Sequence, residues 1–167
     1  IITKYFYSQI LCKLNQEVNG DAYKLLIFDI VNMVKSEHYI YLDVNSFVLE
    51  DIGYLMDLTY FYHGNIIVSA NKYKNEKINN LKSLLMRVFY VDPIKFLLDH
   101  KLRDNILNVN GILDTNVIAG DYESFLKINN SIKSLNSSLK HWAMKASNGY
   151  HFLINYVIKL NYYMVMD

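Results

Sequence analysis

Apolar and polar positions follow two periods along this chain, and the changes between them predict its elements. Between residues 4 and 14, Phe6, Tyr7, Ile10, Leu11 and Leu14 recur at helical spacing. Asn19-Gly20-Asp21 interrupts the stripe, and Asp21 suits an N-cap for a second helix from Ala22 to about Val34. The broad face of Leu25, Leu26, Asp29 and Ile30 fits a helix packed on a sheet. Tyr39 to Val44 is apolar with little alternation, the pattern of an interior parallel strand covered on both faces. A helix from Glu50 to about Tyr60, a β-branched run at Asn65-Ile66-Ile67-Val68-Ser69 and a helix from Lys77 to Val88 follow.

Beyond that point the signals shorten. Phe89-Tyr90-Val91 reads as a strand stopped by Pro93, Ile94 to about Leu102 as a helix, and Ile112-Leu113 as a short strand. From Asp121 to Lys145 one long helix is expected, and from Tyr150 to about Val165 another after the Asn148-Gly149 break. Helices alternating with strands predict an α/β domain over residues 1–120, with a mostly parallel sheet flanked by helices. Residues 121–167 are expected to add a C-terminal helical hairpin packed on it, whose apolar surface offers a docking face for a protein partner.

Composition narrows the picture. At 167 residues and 52% hydrophobic content the chain suffices for one core. A formal net charge of +1 sets up no global field for nucleic acid or an anionic membrane. The single cysteine, Cys12, has no intramolecular disulfide partner, which fits a reducing compartment, and its place on a helical stripe suits a small core residue. No apolar run reaches the ~18–20 residues that span a bilayer, and no signal-peptide layout is present, so a cytoplasmic location is expected. The richness in Asn, Ile, Lys and Tyr is read as codon pressure from an AT-rich genome. A chain that begins at Ile1 and ends in Tyr162-Tyr163-Met164-Val165-Met166 is expected to be a segment of a longer protein.

Candidate chemistry gathers around Asp43 and Asn45, at the carboxyl end of the expected strand, where open α/β sheets bind ligands. Oxygen-bearing side chains at spacing two share a face and are able to hold a hard cation, manganese or magnesium, and through it a diphosphate. The same residues serve equally as local caps of a strand end. Lys24 is either a phosphate contact or a surface lysine lying along apolar groups, and Asp51 suits the first turn of its helix. His38, His63, His100, His141 and His151 lack metal-ligand spacing. The Lys72-Tyr73-Lys74-Asn75-Glu76-Lys77 run interleaves bases with an aromatic, as single-strand nucleic-acid sites do, but reads better as a solvated helix entry. Neither a Gly-rich phosphate loop nor a nucleophile elbow occurs.

The stretch Ala22-Tyr23-Lys24-Leu25-Leu26-Ile27, then Tyr41-Leu42-Asp43-Val44-Asn45, then Val48-Leu49-Glu50-Asp51-Ile52-Gly53-Tyr54-Leu55 resembles the centre of the glycogenin and lipopolysaccharide galactosyltransferase family. That resemblance implies a GT-A fold and transfer of a sugar from a nucleotide-sugar donor to an acceptor, with a divalent cation. Carried over by position, it implies that Asp43 contacts nucleotide and metal, Asn45 is the second metal-side ligand and Lys24 stands near the phosphates. Asn45 and Lys24 depart from the family's Asp and Arg, which weakens charge and bidentate recognition. Asn110-Gly111-Ile112-Leu113 faintly matches the family's acceptor-side strand, and His141 stands roughly where a late metal-binding histidine occurs. The same order of elements also resembles the carboxyl-terminal part of RNA ribose methyltransferases and the non-catalytic small subunit of viral capping enzymes. There Asp43 replaces the expected lysine, which implies a stimulatory or scaffolding partner. A third expectation is an interaction module without chemistry.

Overall fold

The computed structural model describes residues 22–43, 46, 48–49, 51–70 and 78–166. Four strands form one sheet, ordered β1 (His38–Leu42), β3 (Leu113–Asp121), β2 (Ile66–Ala70) and β4 (Tyr163–Met166). β3 pairs antiparallel with both β1 and β2, whereas β4 pairs parallel with β2. β1, β2 and β4 therefore run one way, and β3 runs against them. The α/β class stands, but the sheet is mixed rather than mostly parallel.

The pleat sends alternate residues to two layers. Tyr39, Tyr41, Ile66, Val68 and Ile118 join the main core. Helix α1 (Ala22–Asn32, wound as a 3-10 helix), α6 (Tyr122–Ser134) and α8 (Gly149–Leu160) cover that face. The Tyr39 ring stacks on Phe125 at 5.1 Å, and Phe28 meets Phe125 at the same distance. Every residue of α8 from Phe152 to Lys159 is buried. Around it pack α3 (Leu81–Val88), α4 (Pro93–His100), α5 (Asp104–Leu107) and α7 (Ser137–Lys145), with Phe89, Phe96, Trp142 and Phe152 meeting edge to face. On the opposite face Ile67 and Ala119 are fully buried, and α2 (Gly53–Phe61) packs against β1, β2 and β3.

Several elements differ from the sequence expectation, each for a physical reason. β1 is a terminal strand among the described residues, not an interior one. Its residues are apolar because helices lie on both its faces, and that pattern carries no information about lateral neighbours. Residues 89–91 form no strand: Tyr90 takes a left-handed backbone (φ 53°), and Asp92 with Pro93 starts α4, its Oδ1 accepting from the N–H groups of Ile94 and Lys95. The long helix expected over 121–145 breaks at Leu135, because Asn136 caps a new start by accepting from Ser138 N at 2.8 Å. The last helix stops at Leu160, and the apolar tail enters the sheet as β4, its entry marked by Ile66 N donating to Tyr162 O at 3.2 Å. β3 extends over nine residues where only Ile112-Leu113 was expected. The helix expected at residues 4–14, Cys12 and the Lys72 to Lys77 run lie outside the described residues.

Candidate functional site

Asp43 sits just past the carboxyl end of β1, where its N–H donates to Asn116 O at 2.8 Å and its carbonyl accepts from Ser46 N at 2.8 Å. These bonds extend the β1–β3 pairing by one residue and fix the start of the turn. The residue is 3% exposed, and its carboxylate accepts from the Tyr41 hydroxyl at 3.3 Å, the same-face neighbour two residues earlier. Asp43 is thus a buried, hydrogen-bonded carboxylate at the strand tip. Asn45 and the Lys24 side chain lie outside the described residues, so of the three expected ligands the structure places Asp43.

The neighbouring part of β3 is irregular. Val68 pairs with Ile118 but Ser69 pairs with Asp114, so residues 115–117 bulge out of register. The bulge buries Thr115, whose Oγ1 lies 3.2 Å from His151 Nδ1 on the first turn of α8. Asp114 Oδ1 accepts from Asn116 N at 2.9 Å and holds the turn. Tyr41, Asp43, Thr115 and His151 therefore mark the polar end of the sheet at which the parallel strands finish.

The opposite end carries a group that sequence spacing did not reveal. Asp121 closes β3 beside His38 of β1 and caps α6, its Oδ1 accepting from Ser124 N at 2.8 Å. Its Oδ2 accepts from Gly64 N at 2.7 Å and hydrogen-bonds His63 Nδ1. Burial pushes this carboxyl's pKa up, but the N–H groups of Ser124 and Gly64, with His63 and the Ser124 hydroxyl, outweigh it and leave the pKa below its ordinary value. Thr59 Oγ1 donates to Met56 O at 2.7 Å, so at 2.7 Å from His38 Nδ1 it accepts, which sets the His38 tautomer. His63 is 68% exposed, while Asp121 is nearly buried. An imidazole held by a carboxylate has the parts for proton transfer, yet this carboxylate is already engaged in capping α6 and pinning the chain before β2.

No protein-family model, curated protein or solved structure matches this chain. Among the described residues no three His, Cys, Asp or Glu side chains gather as a metal site. No described helix is long and apolar enough to cross a membrane. His141 lies exposed on α7, and Asn110 and Gly111 belong to the turn before β3. That turn is held from inside the core: Lys159 donates to the carbonyls of Val109 at 2.9 Å, Asn110 at 3.3 Å and Gly111, and burial lowers its pKa to about 8. Asn155, fully buried one turn earlier, bonds both N–H and C=O of Leu113. These two residues dock the start of β3 on α8, which is a structural role.

Proposed function

We propose that this chain is a non-catalytic partner domain of the RNA ribose methyltransferase type, similar to the small subunit of viral capping enzymes. The observation that carries this reading is the order α1, β1, α2, β2 over residues 22–70, followed by the C-terminal helices α6 to α8, which is the succession on which the resemblance rests. Asp43 stands where the resemblance requires a lysine in a working enzyme, so a buried carboxylate takes the place of that amine. Fold analogy alone sets no activity, so the role left by this substitution is stimulation or scaffolding.

The test is co-expression with the catalytic RNA methyltransferase subunit of the same genome. A stable complex and faster methyl transfer to capped or uncapped RNA are expected, with no transfer by this chain alone. Absence of a complex, or methyl transfer by the isolated chain, overturns the reading. The nucleotide-sugar transferase remains the second reading, because Asp43 does lie at the carboxyl end of its strand. Its chemistry would be electrophilic, a cation at Asp43 and Asn45 neutralising the departing diphosphate.

A further inference from the structure

The outer surface of α2 is built the wrong way round for a helix at a water boundary. Its residues Leu55, Leu58 and Thr59 turn inward, and Thr59 is the buried one. The outward residues include Tyr54, Met56, Tyr60 and Phe61, with Tyr60 75% and Phe61 76% exposed and their rings edge to face at 6.2 Å. Val48, Leu49 and Ile52, which lead into the helix, are exposed as well, Leu49 to 91%. A helix apolar on all sides is a buried helix, and an extended apolar patch on a surface marks an interaction site.

Charge narrows what covers it. Residues 36–71 contain Glu37, Asp43, Glu50, Asp51 and Asp57 and not one Lys or Arg. All 17 basic residues lie outside this span, against 11 of the 16 acidic ones. Pairing α2 with α2 of a second copy would bring Asp51 and Asp57 against their like with no cation in the span to offset them, and like-charge juxtaposition is costly. An occupant with an apolar centre and a rim of Lys and Arg satisfies both halves of the patch.

Resting on the partner-domain reading above, we infer that the face formed by Val48, Leu49, Ile52, Tyr54, Tyr60 and Phe61 is where the catalytic subunit docks, through an apolar, basic-rimmed surface of its own. Aromatic side chains already exposed and held on a rigid helix are the usual anchors of such contacts. The acidic rim of Asp51 and Asp57 steers the approach.

The experiment uses the full chain and the co-expressed catalytic methyltransferase subunit, with Tyr60→Ser/Phe61→Ser and, separately, Asp51→Lys/Asp57→Lys. The aromatic pair of substitutions is expected to weaken the complex by roughly tenfold or more while leaving the melting temperature of the free chain unchanged. The charge reversal is expected to slow association, most at low salt. Unchanged affinity in both variants, with the complex intact, overturns the docking face and leaves the functional reading standing. A lowered melting temperature in Tyr60→Ser/Phe61→Ser means that this chain covers the face itself and overturns the proposal. So does a free chain that sediments as a dimer and becomes monomeric in that variant. No complex with wild type overturns both readings together.

Discussion

Asp121 shows how one side chain joins three elements. Its carboxylate caps α6 through Ser124 N, holds Gly64 N before β2 and engages His63 at the end of α2's exit loop. Because its folded pKa lies below its ordinary value of 3.8, the stability it contributes is complete above that pH and is lost as pH falls through the folded value. Asp121→Ala is expected to cost about 1–2 kcal/mol at neutral pH, the usual cost of losing a cap. Urea unfolding at several pH values checks this: the gap between wild type and variant should narrow in acid as wild-type Asp121 takes up its proton. A gap of constant size from neutral to acid pH would show that the ionised carboxylate is not what matters.

Among the elements, what could be read beforehand depended on which direction of space the pattern encodes. Helical stripes such as Leu81, Leu84 and Leu85 name a buried face, and α3 buries those three residues. Strand composition likewise reported that β1 and β2 are covered on both faces, but faces are perpendicular to the sheet, so the lateral order β1-β3-β2-β4 left no trace. β3 escaped because Asp114, Asn116, Gly120 and Asp121 are residue types depleted in strands. They are tolerated since Asp114 and Asp121 bond local N–H groups, and Gly120 lies where a Cβ would stand 2.5 Å from Ser124 Oγ. The Asp121–His63 pair, 58 residues apart, was equally invisible to any spacing rule. Asn148-Gly149 was legible as a break, and the structure supplies its reason. A Cβ on Gly149 would lie 2.7 Å from Ala143 O and 2.8 Å from Ala143 Cα, so the first turn of α8 rests directly on the backbone of α7. Alanine is the better helix former by about 1 kcal/mol, yet Gly149→Ala is expected to destabilise by about 2 kcal/mol, because backbone cannot yield as a side-chain tip does. A melting temperature equal to or above wild type would mean that α7 and α8 separate freely.

At the scale of the whole molecule, the two functional readings differ in what Asp43 is for, and one pair of measurements divides them. As a transferase ligand, Asp43 would bind manganese with a uridine diphosphate, and the pair would raise the melting temperature by mass action. Asp43→Ala would then abolish that shift while barely altering the fold, which is what the motif alone implies. The partner-domain reading expects otherwise: the carboxylate is buried, accepts from Tyr41 and sits where β1, β3 and the Ser46 turn meet. Removing it takes away the acceptor of the Tyr41 hydroxyl bond and a buried side chain at the end of the sheet. We therefore expect no shift from manganese and uridine diphosphate, and a loss of about 1–3 kcal/mol in Asp43→Ala from the hydrogen bonding that the buried carboxylate provides at the strand end. Asp43→Asn, which keeps an acceptor oxygen, should recover most of that loss. Thermal melts of the three proteins with and without manganese and nucleotide settle the choice. A clear shift in wild type that vanishes in an otherwise stable Asp43→Ala would return the site to sugar-nucleotide chemistry and remove the partner-domain reading.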